Sequence, residues 1–311
     1  MTPVVHDCDP GNDDALGILV AAGHPVLSLL AVTTGAGHLA ADRTARNAAA
    51  VVATLPGERP PVAAGAAGPL VRERLVAQVL DMSAGLDPER TDLPIVDLLP
   101  LSSPELLRQV AADAPGLLVA ATGPLTNLAL ALRAAPGLAR RIGRIVFLGG
   151  AWGLGNKTAA AEWNVLCDPE AAAIVFGAGI PLTMVPIDAA STVTIDDALV
   201  DALVEAGTVP FAVELLRSLR TTYHPGPFGP ANAPLNDPLA LLVAAEPGLA
   251  RTLPARVEVE LAGRHTYGRT VVDFAGRSGP PNCDVVVGFD VPATRRAFVD
   301  AVARATRPSG I

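Results

Sequence analysis

Hydrophobic positions along this chain fall into short β-branched or leucine-rich runs that alternate with segments of helical period. Val4-Val5 begins a strand, Pro10-Gly11 turns it, and the apolar segment Ala15 to Ala22 continues as a helix. Val26 to Thr34 is a near-continuous apolar run of the kind expected for a buried parallel strand. A helix from Asp42 to Thr54 and a short strand at Pro61 to Ala64 come next. Between Leu70 and Pro100 the periodicity lapses, broken by Gly85, Pro88, Pro94 and Pro100; such a stretch is either a binding loop or a plain surface excursion. The alternation resumes with a helix at Glu105 to Ala112, a strand at Leu117 to Ala121, and a turn through Thr122 to Asn127 into the helix Leu128 to Ala135. Strand Ile145 to Leu148 then ends in a glycine-rich loop running from Gly149 through Asn156, ahead of helix Pro169 to Gly177 and strand Leu182 to Ile187. Helices at Asp196 to Glu205 and Pro210 to Tyr223 lead into a Pro/Gly-rich loop ending at Pro230, and Asn236-Asp237-Pro238 opens another apolar helix. Arg256 to Leu261, Thr270 to Phe274 and Val285 to Phe289 read as strands of an antiparallel addition, closed by a helix from Pro292 to Ala305. The pattern predicts an α/β chain: a Rossmann-like, mostly parallel central sheet with helices on both faces, in one domain over 1–311.

Composition narrows the classes. A chain of 311 residues, 50% hydrophobic and 17% charged, is long enough to bury a sizeable core. Its net charge of −8 argues against a nucleic-acid partner, whose phosphates would call for Lys/Arg contacts, but leaves a small nucleoside open. Cys8, Cys167 and Cys283 are odd in number, far apart and in no CxxC pair, so neither a disulfide framework nor a zinc site is expected. Without a signal-like N-terminal segment or an apolar run of spanning length, the expectation is a soluble cytoplasmic protein with no membrane partner.

The chemistry concentrates in Asp7-Cys8-Asp9-Pro10-Gly11-Asn12-Asp13-Asp14, at the end of the first strand. Carboxylates packed this closely repel, and some must take up protons unless a cation sits among them. Oxygen ligands without a nearby Cys/His set favour Ca²⁺ or Mg²⁺ over zinc. The ordinary structural reading of Asp13 and Asp14 is a helix N-terminus favoured by negative charge, but it leaves Asp7 and Asp9 unaccounted for. Three later clusters also fall at strand ends or helix starts. Thr122-Gly123-Pro124 offers backbone carbonyls free of ladder pairing, or simply a turn. Asn156 with Glu162-Trp163-Asn164 and Asp168 suits a polyhydroxylated ligand, with helix capping as the alternative for Asn164 and Asp168. Asp237 is either a distant carboxylate ligand or an N-cap.

Taken together these residues resemble the nucleoside hydrolase family, the inosine–uridine type. The likeness rests on Asp7-Cys8-Asp9-Pro10-Gly11-Asn12-Asp13-Asp14-Ala15, similar to the family's DxDPGxDDA signature. It extends through Thr122 to Asn127, Gly149-Gly150, Asn156, Ala161 to Asn164, Asp168 to Ala171, Asp237 to Ala240 and Gly268 to Asp273, in family order. The resemblance implies hydrolysis of the N-glycosidic bond of ribonucleosides, a role in purine or pyrimidine salvage, and a homo-oligomer, dimer or tetramer. It implies a Ca²⁺ held by Asp9, Asp14, Asp237 and the main-chain carbonyl of Thr122, with Asp9 also the general base toward a water that the cation activates. Asp13, Asn156, Glu162 and Asn164 would bind the ribose, with Asp7 supporting the ligands from behind.

The sequence departs from the family's pattern on the side of the base. Asn236 stands where a His commonly precedes the late metal-ligand Asp, which makes Asn236 a candidate substrate contact instead. No early-loop His precedes Gly85-Leu86-Asp87, His38 replaces the usual Asn, and Asp188-Ala189-Ala190-Ser191 lacks the family's His. The candidate acids for the leaving base are therefore His38, which we favour, His224, and Asp81, with Trp152 or Tyr223 as stacking partners. Two other readings compete. A catalytically weak ribonucleoside-binding or sensing protein on the same fold would bind without turnover. A haloacid-dehalogenase-like phosphatase would share Asp7-x-Asp9, but Gly11 stands where that chemistry wants Thr or Val, and Lys157 is the only lysine.

Overall fold

The chain opens on strand β1 (Thr2–Cys8), and beyond it the predicted alternation of strands and helices largely holds. In this computed structural model, which describes residues 1–76, 86, 94, 96–226 and 229–306, β1 leads into α1 (Asn12–Gly23), β2 (Leu27–Thr34), α2 (Ala41–Thr54) and β3 (Val62–Ala63). Next come α3 (Ser103–Asp113), β4 (Leu117–Ala121), α4 (Thr126–Ala134), β5 (Ile142–Leu148), α5 (Trp163–Cys167), α6 (Pro169–Phe176) and β6 (Leu182–Val185). The remainder comprises α7 (Ile187–Ala190), α8 (Asp197–Glu205), α9 (Pro210–Thr222), α10 (Pro238–Ala245), β7 (Ala250–Val259), β8 (Thr270–Asp273), β9 (Cys283–Phe289) and α11 (Val291–Thr306).

One 9-stranded sheet runs in the order β3-β2-β1-β4-β5-β6-β9-β7-β8. It is parallel from β3 to β9, and only β7 runs against its neighbours. The antiparallel addition is thus smaller than the hydrophobic pattern predicts: β9 joins β6 in parallel and extends the main sheet. Strand β6 stops at Val185 rather than Ile187, because Pro186 cannot donate to a ladder and Ile187 already begins a helical turn.

Two cores flank the sheet. On one face α1, α2 and α8 to α11 pack over residues such as Val4, Val32 and Val146; on the other, α3, α4 and α6 cover Val5, Val119 and Ile145. Helix α1 is buried nearly all round, as its unbroken run of apolar side chains demands, and leucines such as Leu16 and Leu19 each stabilise by about 1.5–3 kcal/mol. Alternation along β1 sends His6 and Cys8 toward α1, the side of Val4, and Asp7 toward α4, the side of Val5. The strand order reverses between β1 and β4, so their carboxyl ends splay into a crevice. Both Asp9 and Thr122 stand at its lip, each one residue beyond its strand.

Candidate active site

The crevice holds an inner chamber lined by Asp9, Asp13, Asp14, Thr122, Asn164 and Asp237, among others. Asp9, Asp14, Thr122 and Asp237 are buried, and Asp13 is half-buried. Carboxylate oxygens of Asp13, Asp14 and Asp237 all lie within 4.8 Å of one another. Asp9 faces the same chamber but is turned partly aside, its Oδ2 accepting the backbone N–H of His38 at 2.9 Å. That approach depends on glycine: a Cβ at Gly37 would collide with the Asp9 carboxylate, and one at Gly123 would sit 2.7 Å from Asp9 Oδ1. Asp14 accepts from Thr122 Oγ1 at 2.6 Å and from the Gly11 N–H at 3.3 Å. Asp237 occupies the N-cap position of α10 yet makes no cap bond there; its carboxyl faces those of Asp13 and Asp14 instead. Behind the chamber, Asp7 accepts from Thr33 Oγ1 at 2.7 Å and Asn127 Nδ2 at 2.9 Å.

Burial dominates the electrostatics. It pushes the Asp9 carboxyl up to about 8, with Asp13 and Asp7 adding repulsion, and lifts Asp14 and Asp237 well above the carboxylate range. Among the described residues lining the inner chamber no Lys or Arg balances these acids. Clustered buried carboxyl oxygens without a counter-charge are the donor set a hard divalent cation takes, so the residues present fit such an ion.

A second wall of the chamber comes from the loop before α5. Glu162 caps α5 and is pinned by three backbone N–H groups, those of Gly150, Asn164 and Val165, at 2.9, 2.9 and 3.2 Å. Asn164 Nδ2 donates to the carbonyls of Thr122 (2.7 Å) and Leu148 (3.0 Å), which uses both amide hydrogens and leaves Oδ1 for a ligand. The Thr122 carbonyl keeps a second lone pair. Asn156 Oδ1 accepts from the Trp163 N–H at 3.0 Å, leaving its NH₂ free to donate. Asn236, just before Asp237, has a positive φ of 49°, a strained conformation that Asn tolerates better than most residues.

An outer chamber opens beyond, sharing Asp13, His38, Asn156, Trp163 and Asn236 with the inner one and adding Leu219, Tyr223, Pro234, Lys157 and His224. The His38 ring stacks on Trp163, centroids 4.2 Å apart and 16° between planes, with Nδ1 3.5 Å from Asp9 Oδ2. Burial lowers the His38 pKa. Lys157 Nζ stands 4.7 Å from the Trp163 ring centroid.

The family signature described as inosine-uridine preferring nucleoside hydrolase matches residues 4–296. The chain belongs to this family. It is an N-ribosyl hydrolase, and its relatives carry the same class of name. The pyrimidine-specific ribonucleoside hydrolase RihA of Enterobacter sp. (strain 638) is 39% identical over 97% of this chain and 96% of that protein; the RihA of Citrobacter koseri is 38% identical over the same shares. Among solved structures, the purine-preferring ribonucleoside hydrolase from Gardnerella vaginalis superposes with a TM-score of 0.89 at 28% identity, covering 98% of this chain and 99% of that one. The inosine-uridine preferring nucleoside hydrolase from Bacillus anthracis, at 19% identity and a TM-score of 0.80 over 97% and 99% of the two chains, shares the fold.

The hydrolase brings Asp9, Asp13, Asp14, His38, Thr122, Asn156, Glu162, Asn164, Asn236 and Asp237 to one chamber. His224 stands apart, exposed on the outer rim, and Asp81 lies outside the described residues. Asp168 stays with its structural role: it caps α6 and ties it to Thr126 and the Leu70 N–H. Trp152 lines neither chamber and packs edge-on against Phe274, so of the two expected aromatic partners only Tyr223 reaches the site. The aromatic that sequence reasoning misses is Trp163. Its place between Glu162 and Asn164 is the available signal, but α5 is too short to show a period.

Proposed function

We propose that the chain hydrolyses the N-glycosidic bond of pyrimidine ribonucleosides, releasing ribose and the free base, with a Ca²⁺ held by Asp9, Asp14, Asp237 and the Thr122 carbonyl. The observation that carries this reading is the convergence of buried, cross-braced oxygen donors at the crevice between β1 and β4, beside a chamber walled by Trp163 and Tyr223. The pyrimidine preference is supported by relatives named pyrimidine-specific at up to 39% identity, against 28% for the purine-preferring structural neighbour.

When bound, the cation supplies an acidified water and a template for the sugar hydroxyls. Asp9 takes the water's proton at Oδ1, since Oδ2 already accepts the His38 N–H. Glu162, Asn164 Oδ1, the Asn156 amide and Asp13 grip the ribose and set its anomeric carbon against the water. Positive charge developing on the sugar as the C–N bond stretches is stabilised by the surrounding carboxylates. The acids line the inner chamber and Trp163 and Tyr223 the outer one, so the base is accommodated in the outer chamber, against those two rings. His38 lines both chambers and protonates the departing base; His224, on the outer rim, is the second candidate donor.

Ribose release from uridine, cytidine and inosine, measured with Ca²⁺ and after chelation, tests the reading. Uridine and cytidine should exceed inosine by about tenfold or more, with activity lost to chelator and restored by Ca²⁺. Faster release from inosine would overturn the pyrimidine assignment, and indifference to chelation would overturn the cation. Tight uridine binding without release would instead favour a sensing protein.

A further inference from the structure

Behind the inner chamber lies a buried histidine that the mechanism above does not use. His6 is fully buried on β1, facing α1. Register places it opposite Ala120 of β4, two residues short of Thr122. Its Nε2 is 2.8 Å from Thr122 Oγ1, and that hydroxyl in turn lies 2.6 Å from Asp14 Oδ1. A hydroxyl has one proton to give. With Thr122 donating to the Asp14 carboxylate, the bond from His6 must run from Nε2–H to the hydroxyl oxygen. This sets the imidazole tautomer: Nδ1 is left bare, and Nδ1 has no hydrogen-bond partner in its buried surroundings. The other Asp14 oxygen is held by the Gly11 N–H.

We propose that His6 is a positioning residue for the cation site: through the Thr122 hydroxyl it fixes the orientation of the Asp14 carboxylate and anchors the residue whose carbonyl joins the ligand set. The inference rests on the cation reading above. Groups of this kind, one bond removed from a ligand, set its orientation and basicity, and their loss typically weakens metal binding by about 10- to 100-fold.

Two further observations fit. Gly17, in the interior of α1, is where a Cβ would stand 3.0 Å from His6 Cε1. Glycine is unfavourable inside a helix, and here it leaves room for the imidazole. His6, Cys8 and Asp14 also present ligand atoms within 4.8 Å of one another, which raises a second metal site as the rival explanation. His6 Nε2 is committed to Thr122, burial holds the Cys8 thiol protonated against the Thr33 carbonyl, and Asp14 already belongs to the cation site above, so the bare His6 Nδ1 would be the trio's one uncommitted ligand, too few for a second site.

The experiment is calorimetric titration of Ca²⁺ into the metal-free full-length protein, run on wild type, His6→Leu, His6→Gln, Gly17→Ala, His6→Ala and the His6→Ala/Gly17→Ala double variant, with Ca²⁺-dependent uridine hydrolysis measured alongside. His6→Leu should weaken Ca²⁺ by about 10- to 100-fold, and His6→Gln, which keeps an N–H donor, should recover part of that loss. At saturating Ca²⁺ the kcat of His6→Leu should approach wild type, because the defect lies in holding the ion; a generally damaged fold would not give that split. Gly17→Ala should weaken Ca²⁺ in the wild-type background and do nothing in a His6→Ala background. Should His6→Leu fail to fold, Gly17→Ala decides alone. Unchanged Ca²⁺ affinity in every folded variant overturns the role of His6 while leaving the cation reading intact. Absence of Ca²⁺ binding in wild type removes the cation reading and this inference with it.

Discussion

The inner and outer chambers share a boundary but are built by different means. In the inner one, the polar side chains are braced from behind: Asp14 by Gly11 and Thr122, Glu162 by three backbone N–H groups, Asn164 by two carbonyls. The outer one draws on the end of α9 and the loop after it, where Tyr223 Oη has one hydrogen bond among the described residues, to the Pro230 carbonyl, and His224 is exposed. Sugar and cation chemistry is common to every N-riboside and needs groups held to within about 0.5 Å. The base is what varies among substrates, and loops and helix ends accommodate that variation cheaply. On the function proposed above, the contrast teaches that catalysis would be fixed by the inner chamber, while selectivity would be left to surfaces that pack less tightly.

The largest effect should therefore come from the inner chamber. Asp237→Ala removes a buried carboxylate that makes no cap bond, so α10 loses no helix-capping interaction while the proposed cation site would lose a ligand. Uridine turnover should fall on the order of 10³-fold, with Ca²⁺ binding lost by calorimetry and the unfolding temperature of the metal-free protein unchanged or raised. The rise is expected because one of several repelling acids has gone. Full Ca²⁺ binding in this variant would dissolve the distinction between the chambers.

A second effect is read in stability. Burial raises the pKa of Asp9 to about 8 and those of Asp14 and Asp237 well above the usual range, so the folded metal-free protein binds more protons than the unfolded chain. Stability contributed this way is complete below the unfolded carboxylate pKa of about 4 and is lost as pH rises through the folded values. His6, whose pKa burial lowers to about 3, acts oppositely below about pH 6.5, so the clean window lies above it. Between about pH 6.5 and 8 the unfolding temperature in chelator should fall with pH, and the rise on adding Ca²⁺ should be greater at the higher pH. A flat profile in chelator would show that the acids are already compensated by something other than a cation.

What is legible in the residues alone divides along the same boundary. The acidic turn is legible because its chemistry is local: strand, Pro10-Gly11 and helix start lie within a dozen residues, and alternation along β1 already separates Asp7 from His6. Thr122, Glu162, Asn164 and Asp237 are legible as polar residues at strand ends and helix starts, where an α/β sheet gathers its ligands. Whether Asp237 is cap or ligand is not, since both readings place an Asp before Pro238; the missing cap bond and the approach to Asp13 and Asp14 count against the cap. The His6–Thr122–Asp14 chain is hidden because it depends on the pairing of β1 with β4, and the stack of His38 on Trp163 because it joins the loop after β2 to the start of α5. The direction of β9 escapes for a related reason: a strand of seven residues with mixed exposure carries no mark of which neighbour it will pair with.

The smallest effect expected is at the outer rim, and it sharpens the comparison most. A departing uracil needs a proton or a strong hydrogen bond, and a positioned acid is typically worth about 10²–10⁴-fold in rate. His38 is held on two sides, by its backbone N–H on Asp9 and its ring on Trp163, and it lines both chambers. His224 has neither restraint among the described residues and lines only the outer one. His38→Ala should therefore lose about 10²-fold on uridine but only a few-fold on a riboside with an activated leaving group, which departs without a proton. His224→Ala should lose a few-fold on uridine and nothing on the activated riboside, with the change in KM rather than kcat, because an exposed side chain on the chamber's edge contributes binding alone. Assay of both variants on both substrates separates the cases. Were His224→Ala to show the larger, leaving-group-dependent loss, the acid would belong to the loosely packed chamber, and the two regions would divide the chemistry and not only the selectivity.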